Sequence, residues 1–336
     1  MASAPFTHVL RMSDVNGIFE HASGTVPRTE GGYCLDDVAR ALVVACRQRP
    51  TTPDVDRLIE TYFRFVVRAQ APNGTCNNRL SRAGTWSDEP TTGDWWGRAL
   101  WGLGTAAARC TQPEIRATAV TRFDRSATQR SSYLHSMAFA ALGAAEMLTV
   151  SPRHRPARDL LQDAASLIGR PNFTRAWPWP EDRLRYASAA IPEALIAAGS
   201  LLGDNGVLAD GLRLLEWLFD IETTNGSLSV TPAGGWAPPT LRPAFDQQPI
   251  EVAALADASA RAFQVTGDPR WSAALDLAVG WFHGNNDCHL PVYDAATGGG
   301  FDALTPSGVN ANQGAESTLA MVSTLQYSRR PAPMLP

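Results

Sequence analysis

Apolar residues in the stretch LDDVARALVVAC, residues 35 to 46, fall at Leu35, Val38, Ala39, Leu42, Val43 and Cys46, the three-and-four spacing of one helix face. Five further stretches of similarly small, apolar character follow, at 95 to 107 (WWGRALWGLGTAA), 136 to 148 (SMAFAALGAAEML), 191 to 202 (IPEALIAAGSLL), 251 to 263 (EVAALADASARAF) and 315 to 325 (AESTLAMVSTL). Most sides of these stretches are rich in Ala and Gly, as expected of a helix enclosed by other helices. Between them run more amphipathic segments with more Arg, Asp and Glu, at 53 to 70, 111 to 123, 155 to 169, 205 to 220 and 269 to 284. These read as outer helices.

Six inner helices alternating with outer ones predict an all-α fold, the (α/α)6 toroid, in which each helical hairpin buries its apolar face only against its neighbours. Five outer segments are clear, so the sixth hairpin is expected to be incomplete or to be completed by the N-terminal segment. No domain boundary interrupts the pattern: residues 1–328 read as a single catalytic domain, and 329–336 (RRPAPMLP) as a disordered tail. Two connections, 72 to 92 and 223 to 246, are long and rich in Gly, Pro, Asn and Trp, the character of functional or mobile loops.

Each inner stretch is opened by polar residues that a buried helix tolerates only with partners. The first carries Asp36, Asp37 and Arg40; the second Asp94, Trp95, Trp96 and Arg98; the third Tyr133 and His135; the fourth Tyr186, Ser188 and Glu193. Asp246, Gln248 and Glu251 open the fifth, and Asn310, Asn312, Gln313 and Glu316 the sixth. Parallel inner helices would bring all these starts to one mouth, where helix dipoles and free N–H groups stabilise carboxylates by about 0.3–1 kcal/mol each. The plainer reading of the first start makes Asp36 an N-cap and pairs Asp37 with Arg40.

Composition narrows the chemistry. The chain of 336 residues is 44% hydrophobic and 18% charged, enough to bury a substantial core, and its net charge of -4 offers no basic field to a nucleic acid. All 29 basic residues are Arg, which removes Schiff-base lysines and P-loop chemistry. Five scattered Cys without a CxxC pair argue for reduced thiols, and no metal-ligand spacing such as HExxH occurs, so neither metal nor cofactor is expected. Neither an export signal nor a membrane-spanning run is signalled, and a cytoplasmic location is expected.

Ten Trp occur, many near the helix starts or in the long loops. Indole rings stack on the apolar faces of pyranoses while Asp, Asn, Gln and Arg bind the hydroxyls, so an oligosaccharide cleft suits this mixture. Trp95, Trp96, Trp177 and Trp179 are the sugar platforms expected, whereas Trp101 and Trp281 read as core. Glycoside cleavage without a cofactor needs two carboxyl groups, an acid for the leaving oxygen and a carboxylate acting on water or the anomeric carbon. Candidates are Asp37, Asp94, Asp246, Glu251 and Glu316, with Asp37 and either Glu251 or Glu316 preferred. Asp36, Arg40, His21, Trp95, Trp96, Arg98, Trp177, Tyr186, Gln248, Asn312 and Gln313 are the expected substrate-binding set.

The motifs DVNGIFEHA, GYCLDDVARAL, GDWWGRALWGLG, FDQQPIEVAALADA and NANQGAESTLA, spread over nearly the whole chain, resemble a family of bacterial (α/α)6 proteins. Members occur alone or appended to family-4-type glycosyltransferases, often among genes for mannoside phosphorylases. Asp36, Asp37 and Arg40 match its GYxxDDxARAL pattern, Asp246, Gln248 and Glu251 its DxQPxE pattern, and Asn312, Gln313 and Glu316 its NQGAEST pattern. The chain departs at Glu20, where Gln commonly precedes His21, at Ser188, where Asn is common, and at Trp95-Trp96, where smaller polar residues are usual. The resemblance implies a carbohydrate-active domain, and with the carboxylates above the expectation is a glycoside hydrolase acting on a mannoside or related oligosaccharide, with a functional link to a glycosyltransferase. Alternatives are a noncatalytic glycan-binding module and a sugar epimerase or lyase on the same toroid. Epimerases of this architecture rely on paired His, and His135 has no evident mate in the sequence.

Overall fold

The computed structural model describes residues 5–329; residues 330–336 of the expected tail lie outside the described residues. The inner helices are α2 (Leu35–Arg47), α4 (Asp94–Arg109), α6 (Leu134–Val150), α8 (Ala190–Leu202), α10 (Pro249–Thr266) and α12 (Ala315–Leu325). Alternating with them are the outer helices α3 (Pro53–Ala69), α5 (Pro113–Ser126), α7 (Arg155–Ile168), α9 (Asn205–Ile221) and α11 (Pro269–Phe282). The sixth outer position falls to α1 (Thr7–Arg11), a five-residue helix that packs on α12. The N-terminal segment thus supplies the sixth outer element.

Each inner helix packs on the next, and α12 returns to α2, so the ring closes. The chain is an all-α (α/α)6 toroid. Among the described residues, strands are only two or three residues long and lie in the connections. One pair, Tyr33–Cys34 with Arg79–Leu80, fastens the 72–92 loop to the start of α2; another, Ala303–Thr305 with Gly308–Asn310, braces the approach to α12.

The inner ring is tight because its helices meet backbone to backbone. A methyl group added at Gly104 of α4 would lie 2.1 Å from the carbonyl oxygen of Gly143 on α6, and one added at Gly143 would lie 2.2 Å from the carbonyl of Leu100. Ala and Gly were placed on these faces by the sequence for this reason: a larger side chain would push the ring open. Trp96 and Trp281 are fully buried in the hydrophobic core.

Capping separates the two layers. Outer helices α3, α7, α9 and α11 are capped by the side chains of Thr52, His154, Asp204 and Asp268, whereas none of the six inner helices has a side-chain N-cap of its own. Donors at inner starts find acceptors from elsewhere in the chain instead. Asn78 Oδ1 accepts from Asp36 N–H at 3.3 Å, and Asp302 Oδ1 accepts from Gly314 N–H at 2.9 Å. Within the ring, the ion pairs Arg47–Asp257 (2.8 Å) and Arg261–Glu193 (2.9 Å) tie α10 to α2 and to α8.

Substituting Gly104→Ala is expected to destabilise the protein by at least about 2 kcal/mol, because neither backbone can yield without opening the α4–α6 contact. Chemical denaturation would register it as a lower midpoint at unchanged slope; a midpoint equal to that of the parent chain would contradict the close approach.

Candidate active site

A cleft of about 570 Å³ opens at the mouth formed by the inner N-termini. Its walls carry Asp36 and Asp37 from α2, Asp94 and Trp95 from α4, Asp246 and Gln248 from the approach to α10, and Glu316 from α12, together with His21. Below it, in the bore, a hollow of about 30 Å³ lined largely by Val43, Trp101, Phe139 and Leu142 has room for about two water molecules and none for a sugar.

Asp36 and Asp37 are not caps. The N-cap of α2 is Cys34, whose side chain makes no cap bond, and the two carboxylates lie in the first turn. They converge instead on one guanidinium. Arg40, buried beneath the cleft floor, donates from Nη1 to Asp37 Oδ1 at 2.6 Å and from Nη2 to Asp36 Oδ2 at 3.1 Å and Glu316 Oε2 at 3.0 Å. Arg98 approaches the other oxygen of Asp36 at 2.9 Å while its guanidinium stacks 3.9 Å from the Phe139 ring. Both arginines line the bore rather than the cleft itself, and reach the cleft through the carboxylates that they bind.

Burial dominates the proton affinity of Asp37. Removal from water pushes its carboxyl up to about 7 against the opposing pull of Arg40, and Glu316 and Asp36 add repulsion. The adjacent Cys34 thiol, which donates to Asp37 Oδ2 at 3.2 Å, is raised for the same reason of burial.

Asp94 is held on both oxygens, by Ser136 Oγ at 2.6 Å and by the Tyr186 hydroxyl. Tyr186 itself stacks on His135, ring centroids 5.3 Å apart, and stands behind Asp94 without lining the cleft. His135 is buried, and burial lowers its affinity for a proton to about 4. Asp246 contrasts with all of these. It is exposed on the cleft wall, and among the described residues its carboxylate meets no hydrogen-bond donor.

Several expected residues lie elsewhere. Trp96 is fully enclosed and Trp179 is 4% exposed, so neither offers a face to a sugar; Trp95 does, its indole N–H anchored on Cys76 O at 2.8 Å. Trp177 sits in a cluster with Trp217 and Trp236, away from the cleft. Asn312 Oδ1 accepts from Gly24 N–H, and the buried Gln313 side chain joins Thr297 and Asp294; both brace loops outside the cleft lining. Glu251 is buried and accepts from the backbone of Ala187 and Ser188, also outside the lining. Burial and the neighbouring Glu222 raise its carboxyl well above the usual range.

Sequence reasoning missed Asn78, Arg79 and Asp302, which also line the cleft. The signal for the first two was the Asn-Asn-Arg run in the long 72–92 loop; nothing local marked Asp302. Ligand atoms of Glu20, Cys34 and Asp37 lie within 4.8 Å of one another, the grouping among the described residues that comes nearest to a metal site. Its two carboxylates are already compensated, by Arg79 on Glu20 and by Arg40 on Asp37. That donor set fits a cation poorly.

No family model matches the sequence, and no curated protein matches it. Solved structures do match in shape. A sugar epimerase from a ruminal bacterium superposes with a TM-score of 0.71 at 12% identity, over 97% of this chain and 96% of its own. Cellobiose 2-epimerase from Spirochaeta thermophila gives 0.67 at 14%, over 96% and 93%. A cellulase of C. cellulolyticium in complex with cellobiose gives 0.60 at 9%, over 93% and 87%. At such identities the likeness shows the toroid and no more.

Replacing Arg40 by Gln should cost about 3–5 kcal/mol at neutral pH, because it leaves carboxylates at the floor without their shared cation. Those carboxyls would then titrate higher in the folded than in the unfolded chain, so the deficit should shrink as pH falls and grow as pH rises. Thermal melts of both proteins between pH 5 and pH 8 would check the sign.

Proposed function

We propose that the protein is a sugar-processing enzyme and that it hydrolyses the glycosidic bond of a mannoside or related oligosaccharide. The observation that carries this reading is the meeting, in one sugar-sized cleft, of Asp37, whose carboxyl is held near 7, with carboxylates on other helices, Glu316 and the unpartnered Asp246. The printed identities of the superposable structures, which include a D-mannose isomerase, epimerases and cellulases, support a sugar as the substrate class. The mannoside and the link to a glycosyltransferase follow from the family resemblance of the motifs.

In this reading Asp37 protonates the leaving glycosidic oxygen, and Asp246 takes a proton from the water that attacks the anomeric carbon. The C–O bond breaks, a C–OH bond forms, and the two carboxyls exchange protonation states for solvent to reset. Glu316 and Asp94 accept sugar hydroxyls, and Trp95 offers its indole to a pyranose face.

Hydrolysis is favoured over epimerisation by the side chains present. A base that takes a proton from carbon in the manner of paired His has no pair here: His135 is buried beneath Tyr186, and His21 alone lies at the cleft.

A screen of defined oligosaccharides, with products identified by mass and by anomeric NMR signal, tests the reading. Cleavage is expected, and Asp37→Asn should lower kcat/KM by about 10²–10⁴. Because the acid must be protonated, activity should fall as pH rises through about 7 and persist below it. Products isomeric with the starting sugar at unchanged mass would replace hydrolysis by epimerisation, and binding without any product would leave a glycan-binding module.

A further inference from the structure

We propose that Glu251 is a positioning residue of the cleft: by accepting the backbone N–H groups of Ala187 and Ser188, it holds Tyr186 against Asp94. The inference deepens the reading of the cleft as a sugar site, for Asp94 is the group through which it acts.

Glu251 lies buried in the first turn of α10 and, unlike Asp37, is not part of the cleft lining. Its carboxyl oxygens reach across the ring wall to the turn that precedes α8, one to Ala187 N at 2.6 Å and the other to Ser188 N at 3.3 Å. Both donors are buried, and α8 has no side-chain cap of its own. Without Glu251 these N–H groups would be left dry and unpaired, a state buried amides rarely tolerate.

The turn they hold is unusual. Ala187 has φ of 48°, in the left-handed region that residues with a Cβ seldom occupy. Such a backbone persists where its surroundings over-determine it, and the paired acceptance by Glu251 is the interaction that fixes it here. The neighbouring residue is Tyr186. Its hydroxyl donates to Asp94 Oδ2 while its ring lies on His135, so the direction of the side chain is set by the turn and read out at the cleft. The other oxygen of Asp94 is bound by Ser136. Loss of the Tyr186 hydrogen bond would leave Asp94 tethered on one side only, free to rotate out of its hydroxyl-binding orientation.

The chain of contacts runs from α10 through the α8 turn to α4. It accounts for a buried acid that the sequence pattern marked as catalytic, and it gives that acid a role needing no contact with substrate.

A double-mutant cycle tests it. Glu251→Ala and Tyr186→Phe should each raise KM for the cleaved oligosaccharide by about tenfold, with kcat the less affected of the two constants, the reverse of the split expected for Asp37→Asn. Together the two changes should do no more than Tyr186→Phe alone, since both break one chain of contacts. Effects that multiply, or a KM unchanged in a folded Glu251→Ala protein, would overturn the proposal. Glu251→Gln keeps one accepting oxygen and is expected to fold if the alanine variant does not, with an intermediate KM. A crystal structure of Glu251→Gln or Glu251→Ala supplies a readout independent of turnover: displacement of Tyr186 from Asp94 supports the assignment, and an unchanged contact overturns it. Should the unaltered protein neither cleave nor bind any sugar, the sugar reading falls while that structural arm still decides the role of Glu251.

Discussion

The starts of four inner helices, α2, α4, α10 and α12, line one cleft and concentrate helix-terminal N–H groups and positive dipole ends in a small volume. An ordinary helix absorbs that with a Ser, Thr, Asp or Asn at its own N-cap, as four of the outer helices here do with Thr52, Asp204, Asp268 and His154. The inner helices leave the position to Cys34, Gly93, Tyr133, Ala189, Gln248 and Gly314, none of which caps. Donors at two of these starts are satisfied from distant parts of the chain, by Asn78 at α2 and Asp302 at α12, and Glu251 holds the turn that leads into α8, so closing the ring and completing these helices are linked. The same arrangement leaves room at the mouth for carboxylates that are not used up in capping.

Those carboxylates are then sorted by their surroundings. Arg40 gathers Asp36, Asp37 and Glu316 from two helices, which fixes their spacing and offsets their mutual repulsion. Burial sets Asp37 apart from the others, since desolvation outweighs the attraction of the guanidinium and favours the neutral carboxyl. Asp246 stands at the opposite extreme, exposed and without a protein donor among the described residues. The two carboxyls thus differ in depth, that of Asp37 removed from water and that of Asp246 open to it.

The toroid is shared by structures whose names describe epimerases, an isomerase and cellulases, so architecture cannot choose among those chemistries. The mouth of this chain is acid-rich and carries one exposed histidine, His21. Tight backbone contacts such as Gly104 on Gly143 matter for the same reason, because they hold the inner starts at fixed distances and leave selection of chemistry to the residues placed on them.

The helices were legible from local pattern. Three-and-four spacing of apolar residues, Ala and Gly on the inner faces and charged residues on the outer ones depend only on near neighbours in the chain, and they marked the eleven long helices within a few residues. Polar starts such as Asp36-Asp37 and Asp246 were legible too, as residues that a buried helix would not carry without purpose. Depth and direction were not. Trp95 and Trp96 are adjacent in sequence, yet the turn of a helix sends one to the cleft and the other into the wall; Glu251, Gln313 and Arg98 look as functional as Asp37 until the ring closes and turns them toward backbone amides, loops and the bore. Sequence determined which segments become helices and which bear charge. Only the closed ring decided which of those charges share a guanidinium, which lose water and which meet solvent, because each depends on contacts between residues up to nearly three hundred positions apart, such as Arg40 with Glu316.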